Sequence, residues 1–149
     1  MPLTNYTTQV QSRNTATEIV QLLSDKKARQ IVSDYDGSGK LTGIAWSVEA
    51  QGRTLAFRLP ANMEAVWKEM QRLRTRNQIP PRFCNYEQAE RIAWRNVLLW
   101  VKAQMAMIET GQITLPEAFF AYAITANGDT LYHSLESRQF PMLGEGAQP

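Results

Sequence analysis

One cysteine and one histidine are all this chain has of the residue types most used to hold a transition metal or to pair a nucleophile with its base. Cys84 alone excludes an internal disulfide framework and makes a reducing compartment the expectation. With His133 as the single imidazole, a zinc site would need carboxylates to complete it, and a nucleophile and base would lack an orienting third group. No Gly-x-Ser-x-Gly elbow occurs. Cys84 is therefore expected to be a small buried hydrophobe and His133 a solvated or partly packed side chain.

Long apolar runs are missing as well. The longest, Ile92 to Ile108, is broken by Arg95, Asn96, Lys102 and Gln104, whereas a bilayer span needs about 20 predominantly apolar residues. It is expected to be a core or interface helix, with no membrane partner. Met1 to Tyr6 has no basic flank followed by an apolar core, so no secretory signal is expected and the chain is expected to be cytoplasmic.

Phosphate and metal loops fail on spacing. Asp34-Tyr35-Asp36-Gly37-Ser38-Gly39 begins like a calcium loop, but Ala45 stands where a bidentate Glu is required and no helices flank it. Gly37 to Lys40 lacks the first glycine of a phosphate loop, and Leu41 replaces the hydroxyl that would hold magnesium. Gly43 falls one residue too late for a dinucleotide fingerprint. No metal and no cofactor are expected, and these glycines are assigned to turns. Glu87 and Glu90 are expected on the exposed first turn of a helix, where its dipole explains them. The chain is expected not to be an enzyme.

What is present suits one domain. At 149 residues the chain buries about 70% of its unfolded surface, too little for a second core. The expectation is a single α+β domain over 1–136, an antiparallel β-meander packed against three main helices, with a flexible C-terminal tail over 137–149. Tyr6, Thr8 and Val10 alternate as a short strand would. Thr15 and Glu18 match a capping box, predicting a helix from Thr15 to about Lys27. Arg29–Tyr35, the run through Ile44, Trp46 and Val48, and the run through Leu55, Phe57 and Leu59 predict three strands. They are joined by turns at 36–40 and 50–52 and stopped by Pro60.

After Pro60 the period changes to 3.6. Asn62 caps a predicted helix near 62–75, whose stripe is Met63, Val66, Trp67, Met70 and Leu73. Asn85 caps a long helix near 86–110 that Gly111 closes. Gln88, Arg95, Lys102 and Glu109 recur every seven residues there as one narrow polar line. The remaining apolar side must be sandwiched centrally or form an oligomer interface, with Trp94, Trp100 and Met105 as interface candidates against the plainer reading of core packing. Thr114, Pro116 and Glu117 open a short helix through Phe119 and Phe120. Beyond it, Asn127-Gly128 leaves open a hairpin of Tyr122–Ala126 with Thr130–His133.

Charge is uneven. From Gln71 to Lys102, Arg72, Arg74, Arg76, Arg82, Arg91, Arg95 and Lys102 face only Glu87 and Glu90, while the whole chain carries +2. Arginines outnumber lysines eleven to five, which suits bidentate recognition of phosphate. The six arginines are candidate nucleic-acid or nucleotide phosphate contacts, with Trp67 and Phe83 as stacking partners. The plain alternative is a solvated helix end. The competing class is an oligomeric protein-binding module, an inhibitor or adaptor that uses the apolar side of the long helix to oligomerise or dock on a partner.

At Ile92-Ala93-Trp94-Arg95, Trp100-Val101-Lys102-Ala103-Gln104 and Met107-Ile108-Glu109-Thr110-Gly111 the chain resembles a group of uncharacterised small proteins carried by bacteriophages and prophages. Gly128 to Tyr132, Tyr6-Thr7-Thr8 and Thr17-Glu18-Ile19 extend the resemblance over most of the length. It implies a phage or mobile-element setting, where DNA accessories and small inhibitors of host defence are both common. It assigns no residue a role.

Overall fold

A computed structural model describes residues 3–144 and Gly146. Among these, five helices and one three-stranded antiparallel sheet make an α+β architecture. The order is α1 (Ser12–Asp25), β1 (Gln30–Tyr35), β2 (Leu41–Ala50), β3 (Arg53–Arg58), α2 (Met63–Thr75), α3 (Tyr86–Glu109), α4 (Leu115–Phe119) and α5 (Leu131–Glu136). Single 3-10 turns lie at Pro81–Phe83 and Phe120–Tyr122.

The sheet is the expected meander, in the order β1-β2-β3. Gln51 and Gly52 both take positive φ, 50° and 76°, the two-residue turn whose twist matches the flanking strands. In the other hairpin, Asp36 Oδ1 accepts from the Ser38 amide and hydroxyl at 2.8 and 2.7 Å and from the Lys40 amide at 3.0 Å. The Asp that resembled a calcium ligand is occupied in holding its own turn. Asp34 pairs with Gly43 and Tyr35 with Leu41, so Thr42 is the extra residue of a bulge. That bulge turns Leu41 to the same buried side as Ile44, Trp46 and Val48.

Helix α3 is the centre of the molecule. Trp94, Val97, Leu98, Val101 and Met105 share one core with the sheet residues Ile44, Trp46 and Phe57 and with Ile19 and Leu23 of α1. Ala89 and Ile92 share a second with Met70 and Leu73 of α2 and Ile79. Of the two ways to cover its apolar side, the central sandwich applies to most of it. Leu99 and Met107 remain 43% and 37% exposed. The seven-residue polar line is a seam along α1: Glu18 lies 3.7 Å from Arg95 and 3.6 Å from Lys102, and Lys26 donates to Glu109 at 2.9 Å.

Two local expectations are corrected and one open alternative is decided. Tyr6–Val10 keeps alternating burial but forms no ladder; the buried Gln88 amide donates to the Tyr6 and Thr8 carbonyls at 2.9 and 2.8 Å instead. Thr15 and Glu18 form no capping box. The helix starts earlier, from Gln11, and Thr15 is fully buried inside it with an unpartnered Oγ1. Asn127-Gly128 does make a turn, with one bridge between Ile124 and Thr130, but Thr130 then caps α5 instead of starting a strand.

Asn62, Asn85 and Thr114 cap their helices through their side chains as expected, the last in a full capping box with Glu117. The tail expected over 137–149 lies in part outside the described residues, at 145 and 147–149.

Candidate functional site

The arginine block is built on the end of α2 and the return that leads into α3. Arg76 is the last turn's cap, and Asn77 takes φ 54° while the Gln78 amide reaches back to the Leu73 carbonyl at 2.9 Å. Pro80 and Pro81 then force extended geometry before the 3-10 turn. The return is held against α2 where the Cys84 thiol, only partly buried, contacts the Met70 carbonyl at 3.9 Å. Arg74 thus lies in the last turn of α2, Arg76 caps it, and Arg82 lies in the 3-10 turn of the return.

The six candidate arginines divide into two sets of three. Arg72 forks onto both carboxylate oxygens of Glu69, and that hydrogen bond holds the Glu69 carboxyl below its ordinary range, with the charges of Arg72 and Arg76 adding to it. Arg91 donates to Gln88 Oε1 at 3.0 Å and lies 3.8 Å from Glu87. Arg95 lies 3.7 Å from Glu18, a charge contact too long for a hydrogen bond, and its Nη1 has no other partner. The other three have no carboxylate within 4 Å among the described residues. Arg74 donates to Asn77 Oδ1 at 3.1 Å, Arg82 lies 4.8 Å over the Phe83 ring, and Arg76 is exposed.

The aromatic candidates are largely engaged. Phe83 meets the edge of Tyr6 at 5.6 Å, and Trp67 meets Tyr86 at 6.0 Å. Trp94 is 0% exposed and Met105 is buried too, so as interface anchors both are corrected: they belong to the chain's own core. Trp100 is half-buried against Phe119 and Tyr122 at 5.3 and 5.5 Å. His133 is exposed, 3.7 Å from Glu136.

Sequence reasoning missed one concavity, between α1, the β1–β2 hairpin and the start of α3, in which Glu90 is 9% exposed and accepts from Lys40 at 3.1 Å. Glu90 was expected on an open first turn; the hairpin loop covers it. Its partner is 50 residues away, so no local pattern announces the pair. Among the described residues no three His, Cys, Asp or Glu side chains gather as a metal would require, and no helix is long and apolar enough to cross a membrane. No protein-family model, curated protein or solved structure matches the chain.

Proposed function

We propose that the protein binds the phosphate backbone of nucleic acid through Arg74, Arg76 and Arg82, acting as a non-enzymatic, cytoplasmic accessory in a phage or mobile-element setting. The observation that carries this reading is that these three arginines lie along the last turn of α2 and the return after it and have no carboxylate within 4 Å among the described residues. Guanidinium groups left free keep the five-donor fork that matches phosphate oxygens. Arg72 and Arg91 are assigned to pairs within their own helices and Arg95 to the contact of α3 with α1, not to the ligand. Phosphate contacts of this kind supply affinity and carry little sequence information.

The test compares binding of a single-stranded and a duplex oligonucleotide by R74Q/R76Q/R82Q and by R72Q. All four positions lie on exposed or half-exposed surface, so the fold survives. The triple variant is expected to lose most of the affinity and R72Q to keep it; the reverse order would overturn the assignment.

A second reading, association through α3, is favoured by one observation: Leu99, Ala103, Ala106 and Met107 lie exposed along one side of that helix. Light scattering of wild type and L99E/M107E distinguishes it, since a self-association that uses this strip is lost in the variant.

A further inference from the structure

A cleft of about 650 Å³ opens where the first turns of α1 and α3 meet the β1–β2 hairpin, and none of Arg74, Arg76 or Arg82 lines it. Its size lies within the range of small-molecule sites. Its lining includes the apolar Ala16, Val20 and Leu41 and the 62% exposed Tyr35. It also includes Arg13, one turn before Ala16 on the same face of α1, with Lys40, Arg91, Glu87 and Glu90.

The charges in the cleft do not cancel. Glu90 is taken by Lys40 at 3.1 Å and Glu87 lies 3.8 Å from Arg91, which leaves Arg13 as a cation with no carboxylate partner among the described residues. Beside Arg13, α1 begins without a side-chain cap and without an acid in its first turn. The amides of Ser12 and Arg13 have no acceptor among the described residues, so their partial positive charge adds to the guanidinium. A cation, open amides, apolar lining and an exposed ring in one cleft together suit an anion attached to a flat body. A bare ion would leave the apolar lining wet, and a cation would meet only acids that are already paired.

We propose that this cleft binds a small phosphate monoester carried on an aromatic ring system, with the phosphate at Arg13 and the amides of Ser12 and Arg13 and the ring against Tyr35. The site is independent of the arginine end of α2, and either can fail without the other.

The test is a nitrogen-15 correlation NMR titration of the full chain with adenosine monophosphate and, separately, inorganic phosphate. Saturable shifts are expected at Ser12, Arg13, Tyr35 and Lys40 with adenosine monophosphate, and weaker ones with inorganic phosphate. Arg13→Gln is expected to weaken adenosine monophosphate about tenfold, the loss typical of one charged hydrogen bond. Tyr35→Ser is expected to weaken adenosine monophosphate but not inorganic phosphate. Both side chains are exposed, so both variants fold, and their unperturbed spectra verify it. Absence of saturable shifts overturns the proposal. So do shifts confined to residues 74–82, which would leave the arginine end as the phosphate site, and so does an affinity unchanged in Arg13→Gln.

Discussion

Lys40 Nζ donates to Glu90 Oε1 at 3.1 Å, tying the loop of the first hairpin to the opening turns of the central helix. The two ends differ: the Lys40 side chain is 45% exposed and the Glu90 side chain 11%. The Glu90 hydrogen bond is the first cause of a raised Lys40 pKa, so the attraction persists up to the ordinary lysine value of 10.5 and is lost only as pH rises through the higher folded value.

Removing one partner therefore has unequal effects. Lys40→Met leaves a mostly buried carboxylate without its cation, whereas Glu90→Gln leaves a lysine free to turn into water. Denaturant unfolding at pH 7 is expected to show the lysine variant clearly less stable than the glutamate variant, with the double variant recovering part of the loss. Equal losses would mean that Glu90 is solvated in solution.

Asp36 gives a pH dependence of opposite sign. The Ser38 hydroxyl, then the Lys40 and Ser38 amides, hold its carboxyl below the ordinary 3.8. A lowered folded value stabilises the protein above the unfolded pKa and ceases to as pH falls through the folded one. Asp36→Ala is expected to lower the melting temperature at pH 7, and the gap to the wild type is expected to close on acidification below 3.8. A gap that stays constant with pH would assign the loss to the turn's backbone rather than to the carboxylate.

Neighbouring phenylalanines at the end of α4 provide a sharp packing contrast. Phe119 is 0% exposed and meets Trp46 at 4.9 Å and Trp100 at 5.3 Å, while Phe120 is 60% exposed. Phe119→Ala is expected to cost about 3–5 kcal/mol, as for other buried aromatics. Phe120→Ala is expected to stay within about 0.5 kcal/mol. Chemical denaturation of the two variants decides it, and similar losses would mean that the helix end is rotated.

Thr15 separates the helix start seen here from the one its pattern suggests. As an N-cap, its replacement by Val would cost about 1 kcal/mol. As a buried threonine with an unpartnered hydroxyl, the same nearly isosteric change is expected to be neutral or to stabilise by up to about 1 kcal/mol. A clear destabilisation of Thr15→Val would restore the capping box.

Features decided within a few residues of chain were legible. Asn62, Asn85, Thr114 with Glu117, and the Gln51-Gly52 turn each specify a local hydrogen bond or a positive φ, and each occurs where its pattern lies. What escaped depends on distant partners. Tyr6 to Val10 has the alternation of a strand, but Gln88, about 80 residues on, takes its carbonyls instead. Glu18 matches a capping position, yet it faces Arg95 and Lys102, which no window around residue 18 contains. The arginine block looked uncompensated because its acids lie outside it: Glu69 just before its start and Glu18 far upstream. The cleft, assembled from α1, a hairpin and α3, leaves no sequence signature at all.

The decisive measurement for phosphate binding is the affinity for fluorescein-labelled oligonucleotides, by anisotropy, across a series of salt concentrations. Three arginines that each neutralise one phosphate predict a slope of log K against log salt of about −2 on single strands and about −2.7 on duplex. In R74Q/R76Q/R82Q the slope is expected to collapse toward zero along with the affinity. Absence of binding at about 50 mM salt, or a slope that the triple variant leaves unchanged, would contradict the assignment of these arginines to a nucleic-acid backbone.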